Sequence, residues 1–234
     1  MIVHEANKGF TLVEAMVALA ILSATLGVAF SMMLSYQEAV EIQRGEVLTV
    51  QTASRALDDM VDTLRAVRVV THDDGEPNFM RFQIPVNPDG KGYLDENRDI
   101  RWGTTYGKQV LEGGWCAWRF VPKVENGQQV EFDETAIGYN LDLNESSAEV
   151  FILGRIQASF YESADMDAEP VGTLDLTPDI VVQVKDDPLA RKLFTLDMAS
   201  ATIDLAVVDP QAEVPLVVEL SSTVEFQNFL SDLQ

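Results

Sequence analysis

Histidine, cysteine and basic residues are all scarce in this chain. Among its 234 residues the only histidines are His4 and His72, and the only cysteine is Cys116. So few histidines argue against a histidine-rich metal site or a Ser-His-Asp triad. No nucleophile motif accompanies them, and the sequence gives no reason to expect an enzyme. One cysteine excludes an intramolecular disulfide, and beside Trp115 and Trp118 it reads as a small buried hydrophobe. Lys and Arg number 16 against 38 Asp and Glu, a net charge of −22. A field of that sign repels phosphate backbones, so no nucleic-acid partner is expected. Proline is absent before Pro77, so nothing of that kind interrupts a helix over the first third of the chain.

What the N-terminal third does contain is one long apolar run. Residues 10–34 are apolar or small, except for Glu14. About 20 such residues at about 1.5 Å rise each span a bilayer core. A carboxylate within the run is costly, about 2.5–3.5 kcal/mol near a membrane helix centre. Glu14 must therefore lie near the membrane boundary or meet a partner. The run does not look like an ordinary secretory signal, in which the apolar region comes before a cut at small residues. Here the order is reversed, and a short leader, polar towards its end at Lys8-Gly9, precedes the apolar run.

Gly9, then Phe10-Thr11-Leu12-Val13-Glu14, then about 20 apolar residues, resembles the class III leader of type IV prepilins and pseudopilins. The resemblance covers about the first 35 residues. It implies a prepilin peptidase that cuts between Gly9 and Phe10 and then N-methylates Phe10. It also implies that Glu14 faces the terminal amine of a neighbouring subunit when the helices bundle into a filament. The physics agrees, since stranding one member of a buried ion pair costs about 3–5 kcal/mol. Major pilins usually carry a proline in the membrane half of this helix and often a C-terminal disulfide. This chain has neither, although Gly27 weakens the helix locally. These departures, with the length of the chain, favour a minor pilin or minor pseudopilin over a main filament subunit, and the closing hairpin, 201–226, resembles the C-terminal strands of the large J and W types.

The helix is expected to continue to about residue 68. Val40, Val47, Val50, Ala53, Leu57, Met60, Val61, Leu64 and Val67 recur at three- and four-residue steps, an amphipathic stripe suited to packing under a sheet. Beyond residue 79 the period becomes that of strands, in Met80-x-Phe82-x-Ile84-x-Val86 and then in segments near 115–124, 128–132, 148–161, 179–184, 201–208 and 214–226. Asp209–Glu213 reads as the connection of a closing hairpin. The expected fold class is α+β, one long N-terminal helix packed on antiparallel sheet. Its parts are a cleaved leader (1–9), a transmembrane or filament-core helix (10–34), an amphipathic continuation (35–70) and a β-rich domain (71–234).

Two further features suggest chemistry. The loop from Asn87 to Asp99 gathers Asn87, Asp89, Asp95, Asn97 and Asp99, oxygen ligands of the kind calcium prefers. Lys91 and Arg98 stand at ligand positions of an EF-hand-like reading, so a solvated acidic turn is the alternative, and no other cofactor is suggested. Trp102, Trp115 and Trp118 are either core or a binding surface.

The sequence thus points to a minor pilin-like subunit of a type IV pilus or type II secretion filament, in the tip or initiating complex. Its expected partners are a prepilin peptidase and other pilins or pseudopilins. Its expected place is the bacterial inner membrane, single-pass with a periplasmic C-terminal domain, and then the filament. The alternative is an adhesin or other surface binding protein anchored by the same leader.

Overall fold

The computed structural model describes residues 11–67, 70–72, 78–133, 150–165, 167–186, 192–197, 199–209 and 217–226. Helix α1 runs unbroken from Leu12 to Arg65, through Gly27. It closes on bonds of the tighter i→i+3 kind, Ala66 N–H to Thr63 O and Val67 N–H to Leu64 O, which satisfy end carbonyls without a glycine cap. Contacts divide the chain into two compact units, Met1–Arg44 and Gly45–Gln234.

In the first unit every described residue, from 11 to 44, is exposed. In the second, α1 contributes Ala53, Ala56, Leu57, Met60, Val61 and Leu64 to the core. The expected stripe is therefore buried only from Ala53 onward. Val40 and Val47 are exposed and Val50 is half-buried, because the sheet's apolar face meets the helix in its last four turns. Each large side chain buried there contributes about 1.5–3 kcal/mol.

The strands are β1 Val70–His72, β2 Phe79–Phe82, β3 Ile84–Pro85, β4 Trp102–Tyr106, β5 Gln109–Glu112, β6 Trp115–Pro122, β7 Val124–Glu125 and β8 Gln128–Gln129. They continue as β9 Glu131–Asp133, β10 Val150–Tyr161, β11 Gly172–Asp175, β12 Val181–Val184, β13 Phe194–Asp197, β14 Ser200–Val207 and β15 Val218–Glu225. All their pairings are antiparallel. The main sheet runs β1-β2-β6-β10-β12-β14-β13, with β9 and β11 also on β10 and β15 also on β14. Strands β3-β4-β5 form a second sheet and β7-β8 a hairpin. The α+β expectation holds, with one long helix on a large antiparallel sheet.

Alternation decides which side chains meet the helix. Met80 and Phe82, Cys116 and Trp118, Ile156 and Ala158, and Ile203 and Leu205 join the helix residues in one core. The opposite face carries a smaller cluster of Phe151, Leu153, Val182, Val184, Ala206 and Val208, packed by Val130, Phe132 and Val217. Phe132 stacks on Phe151 with ring centroids 5.4 Å apart. Strand β12, Val-Val-Gln-Val, is buried at every position because both faces are covered there. Where β6 and β10 cross, a Cβ on Gly154 would strike the Val121 carbonyl and the Phe120 ring. That close approach requires glycine.

Candidate assembly site

The helix start explains how the chain tolerates Glu14. Thr11 precedes the first helical residue, and its backbone N–H and hydroxyl both donate to Glu14 Oε2, at 2.9 and 3.0 Å. Glu14 N–H donates in return to Thr11 Oγ1 at 3.3 Å. This reciprocal Thr-x-x-Glu arrangement is a capping box, and it places a carboxylate in the first turn, where the helix dipole favours negative charge. Its Thr-x-x-Glu spacing stands openly in the sequence, and the cap adds a partner within the chain to the membrane boundary and the neighbour's amine expected for Glu14. Glu14 Oε1 has no partner among the described residues. The carboxylate is thus satisfied at Oε2 within its own chain and open at Oε1 among the described residues.

Beyond Glu14 the helix exposes Met16, Val17, Leu19, Ile21, Leu22 and Leu26 to their surroundings. The hydroxyls in this stretch are internally satisfied: Ser23 donates to Leu19 O at 2.7 Å, and Thr25 to Ile21 O at 3.0 Å and Leu22 O at 2.9 Å. With its backbone bonds also made within the helix, the segment suits lipid or a bundle of similar helices. It is long and apolar enough to cross a membrane. Gly9 and Phe10, the expected cleavage and methylation residues, lie outside the described residues.

The acidic loop is ordered by its own backbone. Asn87 Oδ1 accepts the Gly92 N–H at 3.0 Å, and Asp89 Oδ1 accepts the Lys91 N–H at 3.1 Å. Asp95 Oδ1 accepts both Asn97 N–H at 2.8 Å and Asp99 N–H at 2.9 Å. Arg101 pairs with Asp89 at 3.2 Å. The Lys91 N–H foremost, and then the Arg101 guanidinium, hold the Asp89 carboxyl below the usual range despite some desolvation. Arg98 takes a left-handed φ of 69° in the turn. Three of the five residues thus spend a carboxylate or amide oxygen on local N–H groups. Among the described residues, no three His, Cys, Asp or Glu side chains are grouped to hold a metal ion.

The tryptophans occupy different settings. Trp118 is core, edge-on to Phe82 at 4.8 Å and 6.3 Å from the Phe194 ring. Trp115 is half-buried, with the Arg81 guanidinium 5.5 Å from its ring centroid, and Trp102 is half-buried on the second sheet. Cys116 is buried as expected.

A family model described as the prokaryotic N-terminal methylation motif matches residues 6–30. The match takes in Gly9, Phe10, Thr11 and Glu14 and the first part of α1. The chain carries a type IV pilin-like class III leader joined to a long apolar helix. No curated protein and no solved structure gives a match.

Proposed function

We propose that this chain is a minor pilin-like structural subunit of a type IV pilus or type II secretion filament, acting in the tip or initiating complex. The carrying observation is the N-terminal methylation motif at residues 6–30, continuous with a helix whose outward side chains are all exposed from residue 11 to 44. In this reading prepilin peptidase cuts between Gly9 and Phe10 and methylates Phe10. The helix holds the subunit in the inner membrane, with the β-rich part on the periplasmic side, until it joins other pilins or pseudopilins. Glu14 then offers Oε1 to a neighbour's terminal amine. The subunit contributes structure, not catalysis.

The test is recovery of the chain in sheared filaments, or in complexes with sister prepilins, from cells with and without the assembly ATPase. Recovery that depends on the ATPase supports the reading. A chain that stays wholly in the membrane fraction while filaments form would overturn it.

A further inference from the structure

The main sheet manages most of its edges by keeping them short. Strands β1, β9, β11 and β13 have three or four residues each, one of the common ways in which natural sheets avoid pairing with strangers. Strand β15 does not follow this pattern. It has eight residues and pairs with β14 alone among the described strands, in unbroken register from Val207↔Val218 to Ser200↔Glu225. It contains no proline, no lysine and no bulge, devices that blunt many edges, and its charges are the carboxylates Glu219 and Glu225.

The orientation of its backbone follows from one bond. Phe226 N–H donates to Ala199 O at 2.8 Å, just beyond the Ser200↔Glu225 pair. In an antiparallel ladder, alternate residues turn both N–H and C=O to the same side. Val224, Ser222 and Leu220 therefore face β14, while Ser221, Thr223 and Glu225 turn their backbone groups away from it. Those outward groups have no partner among the described residues. The side chains of Ser221, Thr223 and Glu225 are exposed, whereas Val224 is buried and Leu220 half-buried on the core side.

We propose that the outward edge of β15 at Ser221–Glu225, unpaired among the described residues, receives an extended strand from a different protein of the same assembly. Main-chain bonds to Ser221, Thr223 and Glu225 supply the attachment, as in other strand additions. The incoming strand alternates, with apolar side chains inward to continue the face of Leu220 and Val224. Its outward side chain opposite Glu225 is basic, because Glu225 is the carboxylate that β15 exposes within this edge and opposite charges across a ladder are favourable. A second copy of this chain is a poor occupant, since it brings the same carboxylates on a body of net charge −22. The inference rests on the filament reading, which supplies the assembly.

Amide hydrogen exchange, read residue by residue, tests it on the full chain in detergent and in recovered assemblies. In assemblies the Ser221, Thr223 and Glu225 amides slow by on the order of tenfold or more, while Ser222 and Val224, already bonded to β14, change little. Ser221→Pro removes one outward donor and no β14 bond, so it lowers recovery in assemblies while the Ala201 and Ile203 amides stay protected. Glu225→Lys lowers recovery as well. A chain found in assemblies with Ser221, Thr223 and Glu225 exchanging as fast as in detergent overturns this inference and leaves the filament reading standing. A chain absent from assemblies overturns both. Normal recovery of Glu225→Lys overturns the basic character of the strand.

Discussion

One oxygen of Glu14, Oε2, accepts both the backbone N–H and the hydroxyl of Thr11, at 2.9 and 3.0 Å. The lone carboxylate of the apolar run is thereby a helix cap as well as a charge, and the two roles separate by mutation. Glu14→Gln keeps a group able to reach back to the Thr11 N–H but removes the charge. We predict unchanged membrane levels and unchanged helix content by circular dichroism, with recovery in filaments sharply reduced. Thr11→Val removes the hydroxyl and costs about 0.5–2 kcal/mol at the helix start, yet leaves the charge for assembly. If Glu14→Gln assembles as well as the parent, Glu14 is a cap and nothing more.

The core prediction concerns Leu64, fully buried where α1 meets the sheet. Leu64→Ala should lower unfolding stability by about 2–5 kcal/mol. Val47→Ala, on the same stripe but exposed, should change it by no more than about 0.5 kcal/mol. Chemical denaturation of the two variants measures this directly. Equal effects would contradict the finding that burial begins near Ala53.

Burial pushes the Cys116 thiol up to about 12, despite hydrogen bonds with Trp118 and Thr104 that pull the other way. At pH 8 the folded chain should therefore hold almost no thiolate and resist iodoacetamide, since the thiolate is the nucleophile. In denaturant the same residue should react fully. Rapid alkylation of the folded chain, read by mass spectrometry, would show the thiol accessible.

For the loop Asn87–Asp99 we predict that neither chelator nor millimolar calcium moves the melting temperature. A ligand bound only to the folded state at about 100 times its dissociation constant would add about 2.7 kcal/mol. A rise with calcium would instead support the calcium reading of Asn87, Asp89, Asp95, Asn97 and Asp99. Acid should act instead. Because the folded state holds the Asp89 carboxyl below its ordinary value, its contribution is present above the usual carboxylate range. It is lost as pH falls through the depressed value. Asp89→Asn should therefore lose stability at neutral pH and show a shallower further loss on acidification than the parent.

Some of this structure stands plainly in the sequence and some does not. Strand β10 was legible because Phe151 to Tyr161 is long and apolar, and β14 and β15 because they alternate. The β4-β5 hairpin is hard to read from the sequence because Trp102-Gly-Thr-Thr-Tyr alternates poorly, although Gly107, at φ 61°, marks its turn. Asn126-Gly127, both at positive φ, is the strongest short hairpin signal, and it joins β7 to β8. The onset of burial at Ala53 could not be read, since the apolar period is the same from Val40 to Val67 and only the sheet's position separates the halves. Gly154 shows its purpose only once Val121 and Phe120 lie against it. The Asp209–Glu213 connection falls largely outside the described residues, though β14 and β15 pair as that hairpin requires.

The most direct test of the account is mass spectrometry of the chain's N-terminus, purified from a strain carrying prepilin peptidase and from one lacking it. With the peptidase the chain should begin at N-methylated Phe10, and without it the leader through Gly9 should remain. Gly9→Lys should block the cut even when the peptidase is present, because a long charged side chain replaces the bare backbone at the cleavage point. A chain that begins anywhere else in the presence of the peptidase, or that is processed identically in both strains, would contradict the account at its root.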